Sequence, residues 1–155
     1  ILERAAKHTG AAFVEIYQDC NIFNHKAFEY ATDKDTKEDN TLFLEHGKPM
    51  IFGKGRDKGI ILRNHKPEIV SVGDGAGKVR PDDLLFHDEN DESLAFLLSR
   101  MSHPDFPEPM GVFYSIEDKC YEEMLTQQVR DAIKTKGEGD LEALFNAGET
   151  YEVKG

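Results

Sequence analysis

A helical pattern runs straight into an apolar strand at the start of the chain: "ILERAAKHTG" is followed at once by "AAFVEIY". Ile1, Leu2, Ala5 and Ala6 share one helix face, and Gly10 supplies the C-terminal stop. Phe13, Val14, Ile16 and Tyr17 make 11–17 a largely apolar strand. A helix passing through a short glycine turn into such a strand is the second half of a βαβ unit. That strand needs parallel neighbours, and nothing earlier in the chain supplies them. The helix also begins at Ile1 with no capping residue ahead of it. The sequence therefore reads as the C-terminal part of something longer.

The next stretch, "AFEYATDKDTKEDN" (27–40), is polar and predicts a surface loop or short helix. A β meander is expected across 41–73. "TLFLEH" and "PMIFG" flank a turn at Gly47-Lys48, and "GIILRNH" and "EIVSVG" flank one at Lys66-Pro67. Asp82 to Asp91 reads as an acidic linker carrying a small apolar insert, Leu84-Leu85-Phe86. "ESLAFLLSRM" puts Leu94, Leu97, Leu98 and Met101 on one helical face and ends before His103-Pro104. After a proline-rich crossing, "GVFYSI" (111–116) predicts another strand. The longest helix follows, with Asp118 as N-cap and Tyr121, Leu125, Val129 and Ala132/Ile133 facing inward. Gly137 stops it, and a last short helix runs from Asp140 to Gly148. The expected class is α/β: a helix-strand end of a parallel domain over 1–40, then a β meander plus helices over 41–155.

Charge narrows the function. Residues 1–60 hold 9 Lys/Arg against 10 Asp/Glu, and residues 61–155 hold 10 against 20, giving the net −11. Nucleic-acid binding needs clustered positive charge, so it is not expected. No run approaches the ~18 apolar residues of a membrane helix, and no signal-peptide pattern is present. The two cysteines, Cys20 and Cys120, do not form a disulfide framework. Reduced thiols in the cytoplasm are the expected state.

Several motifs fail on inspection. "VGDGAGKV" (72–79) has Val72 and Val79 where a phosphate loop needs glycine and a hydroxyl. Its Gly73-Asp74-Gly75 could open a thiamine diphosphate site, but "LLSRM" stands where an asparagine pair should finish it. "DKDTKEDN" (33–40) has Glu38 and Leu44 where an EF-hand requires glycine and glutamate. The six histidines form no helical zinc pair. Cys120 opens a helix with no base near it in sequence. Cys20 differs, because it ends a strand and opens the asparagine-rich loop "QDCNIFN". Carboxyl ends of strands are where open α/β sheets build sites. Three readings are open for it: one thiolate of a four-thiolate iron–sulfur set completed elsewhere, a nucleophile paired with a histidine such as His25, or a plain turn in a non-catalytic interaction domain.

"VEIYQDCNIFNHKAF" resembles the strand and loop of the β subunit of 2-oxoacid:ferredoxin oxidoreductases, in the form seen in 2-oxoglutarate synthases. Those subunits carry a Tyr-Gln-Asn-Cys-Asn-x-Phe-Asn run there. "FLEHGKPMIFGKGRDKGIIL" (43–62) and "MGVFYSIEDKCYEEMLTQQVRDA" (110–132) resemble later stretches of the same subunits. The resemblance implies roughly the C-terminal half of such a subunit, with 1–40 closing its thiamine-diphosphate-binding domain. It implies that Cys20 is the fourth ligand of a 4Fe-4S cluster and that Asn21, Phe23 and Asn24 form a pocket wall. It further implies thiamine diphosphate and Mg2+ in the full-length subunit, with no cofactor held by this chain alone. The implied reaction oxidatively decarboxylates a 2-oxoacid, 2-oxoglutarate favoured, to an acyl-CoA with ferredoxin as acceptor. The implied partners are the upstream half, the α subunit, ferredoxin and CoA. Two residues depart from the pattern: Asp19 replaces asparagine, and His25 replaces an acidic residue. Cys120 matches no ligand position.

Overall fold

The structure, a computed structural model, describes residues 1–153 and 155. The chain divides into two compact units, one of residues 1–7 and 13–117, the other of residues 8–12 and 118–155. It is α/β as expected, with a parallel strand pair, a three-stranded antiparallel meander, and helices.

In the first unit, α1 (Leu2–Lys7) is followed by two single-turn helices, α2 (Glu29–Thr32) and α3 (Lys37–Asn40). The meander consists of β2 (Ile51–Phe52), β3 (Lys58–Arg63) and β4 (Lys66–Ser71), in that order. Its second turn is Asn64-His65 rather than Lys66-Pro67. Both turn residues have positive φ, 51° and 62°, as a tight two-residue hairpin requires. Lys66 and Pro67 already pair with Arg63 and Leu62. Pro67 is tolerated there because β4 is an edge strand.

β1 (Thr41–Phe43) does not join this meander. It pairs in parallel with β5 (Glu108–Met110), Thr41 opposite Glu108 and Phe43 opposite Met110. The strand expected at 111–116 thus lies earlier, inside the proline-rich crossing. Gly111, at φ 146°, follows β5 where a Cβ would stand 2.8 Å from the Leu44 Cβ, so only glycine fits there. The expected acidic linker is likewise a structural piece. Leu85 donates to the Ile60 carbonyl at 2.8 Å and accepts from the Met50 N–H at 2.9 Å, stitching the segment into the sheet region. Leu84 and His87 are buried.

The strand expected at 11–17 is absent. A parallel strand exists through its neighbours' hydrogen bonds, and this segment pairs with none of the described residues. Phe13 and Ile16 are exposed as a result. The core gathers Leu42, Phe52 and Ile60 from the strands, Met50 from just ahead of β2, and Leu94, Leu98 and Met101 from α4 (Glu92–Ser99) and its end. The expected inward face of α4 is borne out. Asp91 caps it, accepting from the Ser93 and Leu94 amides at 2.8 and 3.1 Å.

The second unit holds α5 (Tyr121–Lys136) and α6 (Leu141–Phe145). Cys120, not Asp118, is the N-cap of α5, and its side chain makes no capping bond. Asp118 accepts from the Lys119 amide instead. Tyr121, Leu125, Val129 and Ile133, expected inward, are exposed. One long and one short helix provide no second layer for that stripe to bury against. Gly137, at φ 82°, ends α5 as expected, and Asp140 caps α6 through the Ala143 amide.

Candidate functional site

Cys20 stands on a turn between two irregular segments. The Asn24 amide donates to the Cys20 carbonyl at 3.0 Å, closing residues 20–24 into a tight loop. Its thiol is fully exposed and is held below the ordinary cysteine range. The nearby backbone N–H groups of Phe23 and Ile22 are the main cause, with a smaller contribution from Asn24, and together they outweigh the opposing desolvation and Asp19 carboxylate. The turn therefore favours a thiolate without any basic side chain.

Asp19 ties the loop from inside. One carboxylate oxygen accepts from the Ala27 amide at 3.3 Å, and the other lies 3.5 Å from His25 Nδ1. The two residues that depart from the family pattern thus face each other. His25 Nδ1 is directed at the Asp19 carboxylate. Asn21, Phe23 and Asn24, expected as a pocket wall, all project outward, and Phe23 is 90% exposed. A shallow groove of about 260 Å³ lies on the other side of the loop, lined by Tyr17, Asp19, Lys26 and Phe28 among others.

A second cluster, invisible in the sequence, holds the loop's two ends. Tyr17 donates to one oxygen of Glu108 at 2.5 Å, and Tyr30 donates to the other at 3.1 Å. Glu108 is only 6% exposed. Tyr17 stacks on Phe28 with centroids 4.5 Å apart, and Tyr30 stacks on His103 at 4.2 Å. Burial, then the Glu108 hydrogen bond and charge, push the Tyr17 hydroxyl well above its ordinary range, and the Tyr30 hydroxyl shifts the same way. The one sequence signal was Tyr17 within the cysteine motif. Glu108 and His103 gave none, since they lie far along the chain.

The glycine-rich stretch closes on itself as a turn: Val72 bridges Val79, and the Gly73 amide donates to the Val79 carbonyl at 3.0 Å. Among the described residues, no three His, Cys, Asp or Glu side chains gather as a metal site. Also among them, no helix is long and apolar enough to cross a membrane. Cys20, an exposed free thiol whose pKa is lowered by its own turn, has the chemistry of one ligand position of an iron–sulfur cluster. The other three thiolates would have to come from other residues.

No family model matches the chain, and no solved structure does. Among curated proteins it is similar to the 2-oxoglutarate oxidoreductase subunit KorB of Mycobacterium tuberculosis, 32% identical over 159 aligned positions. The alignment covers 99% of this chain and 41% of the relative. The resemblance read around Cys20 is thereby borne out along nearly the whole sequence, and the chain spans less than half the length of the relative it matches.

Proposed function

We propose that the chain is the cluster-ligating C-terminal portion of a 2-oxoacid:ferredoxin oxidoreductase β subunit, acting on 2-oxoglutarate. The carrying observation is an exposed, unpaired Cys20 at the mouth of a tight 20–24 turn, in a chain similar over 99% of its length to part of a 2-oxoglutarate oxidoreductase subunit. Cys20 supplies one thiolate of a 4Fe-4S cluster, and the upstream half of the subunit supplies three. When bound there, the cluster accepts electrons singly, and thiamine diphosphate with Mg2+ in the upstream half supplies the decarboxylation chemistry. The turn's amides favour the charged sulfur and hold its position. Phe23, Asn21 and Asn24 project toward the surface that the α subunit and the upstream half cover. In the assembled enzyme CoA takes the acyl group and ferredoxin takes the electrons, in the cytoplasm. Alone, the chain is inert.

The test is anaerobic reconstitution of this chain with the upstream half of the subunit. The complex should gain a broad visible band from sulfur-to-iron charge transfer and should reduce ferredoxin. Cys20→Ser should weaken or abolish both, while Cys120→Ser leaves both nearly intact. A stable, full-strength cluster in the Cys20→Ser complex would remove the ligand assignment.

A further inference from the structure

We propose that Glu108 is the positioning residue of the Cys20 loop: one buried carboxylate that holds both ends of residues 17–30 against strand β5. The inference deepens the ligand reading above, but its first observations stand without it. Tyr17 and Tyr30 mark the two ends of the loop, and the Glu108 side chain accepts from both, at 2.5 and 3.1 Å. The three side chains belong to segments 91 and 78 positions apart in sequence, so the tie is tertiary.

A carboxylate this buried is costly unless its oxygens are hydrogen-bonded, and here each oxygen has one tyrosine hydroxyl. Hydroxyl-to-carboxylate bonds are short and roughly twice as strong as neutral ones. The carboxylate itself is fixed, since Glu108 opens β5 opposite the buried Thr41. Phe106, two residues earlier, packs on the core cluster. Within the loop Ile22 and Phe23 are exposed; the Tyr30 carbonyl also accepts from Thr36 and Asn40, at 3.1 and 3.2 Å, but no such bond among the described residues reaches the Tyr17 end. Aromatic stacking of Tyr17 on Phe28 and of Tyr30 on His103 sets the rings, but a stacked ring can slide. The hydroxyl bonds to Glu108 set the register. Glu108 acts through Tyr17, Tyr30 and the turn that carries Cys20.

Two measurements test the assignment. On the iron-free 155-residue chain, hydrogen exchange is followed in wild type, Tyr17→Phe, Glu108→Gln and Glu108→Ala. Tyr17→Phe keeps the stacking and removes one tie, so amides 19–29 should exchange several-fold faster. Glu108→Gln keeps one acceptor and should behave similarly, and Glu108→Ala should loosen the loop furthest. Amides of β3–β4 and α4 should hold their protection in Tyr17→Phe. Unchanged loop exchange in both Tyr17→Phe and Glu108→Ala overturns the proposal, and so does uniform loosening of β3–β4 and α4 in Tyr17→Phe. On the reconstituted full subunit, Tyr17→Phe should shift the cluster's reduction potential and its resonance line shape while leaving iron content near wild type. An unshifted potential with a loosened loop would overturn the positioning role. Should Cys20→Ser retain the cluster, the ligand reading fails and the exchange result still decides whether Glu108 holds the loop.

Discussion

At Cys20 the backbone does what a basic side chain does in most reactive-thiol sites. The amides of Phe23 and Ile22 lower its thiol pKa, although a carboxylate, Asp19, stands next in sequence and opposes them. This part of the site was legible because it is a contiguous run in which every contributor sits within a few residues of the sulfur. The contact between Asp19 and His25 lies in the same run, but only the folded turn shows that the two departures from the family pattern meet. Both side chains are substantially exposed, so their pairing contributes little, on the order of 0–1 kcal/mol. Glu108 and Tyr30 were not legible, because a contact across 78 positions leaves no local pattern. Tyr17 offers a pH test. Its folded pKa is raised above the ordinary 10.0, chiefly by burial and then by Glu108. The contribution of its neutral hydroxyl is thus fully present below about pH 10 and is lost as pH rises toward the folded pKa. Tyrosinate absorbance should show a late alkaline component that disappears in Tyr17→Phe. Loss of loop protection should accompany that component.

Elements with their own internal signals were read well. The α4 helix has a helical apolar period and the capping Asp91, and α6 has Asp140. Leu98, fully buried where α4 meets the strands, should be among the costliest positions. Leu98→Ala is expected to lose ~2–5 kcal/mol in denaturant unfolding, as cavity-forming substitutions do. A loss under about 1 kcal/mol would show that the cluster repacks around the gap. Elements that depend on a partner were misread. The apolar alternation of 11–17 states what the segment could bury, but a strand needs a ladder. The stripe on α5 has the right period and no layer beneath it. β5 was hidden by Pro107 and Pro109, which usually argue against a strand. It survives because a three-residue parallel pairing with β1 asks few bonds of it.

At the scale of the whole molecule, the net charge of −11 governs encounters. Under the function proposed above, an acidic ferredoxin should not dock on the acid-rich 61–155 region, because like charges slow association. Asp82→Asn combined with Glu92→Gln should leave ferredoxin reduction nearly unchanged, or speed it slightly at low salt. A several-fold loss specific to ferredoxin would place the docking face on this region.

The reach of the Glu108 contact also has a consequence during biosynthesis. Tyr17 and Glu108 lie 91 residues apart. A ribosome adding ~5–20 residues per second therefore exposes the cysteine turn roughly 5–18 s before the carboxylate that fastens it is made. For that interval the nascent thiol is accessible on an unfastened tether. Under the proposed ligand role, cluster insertion at Cys20 would then be timed to the arrival of β5 rather than to that of the cysteine.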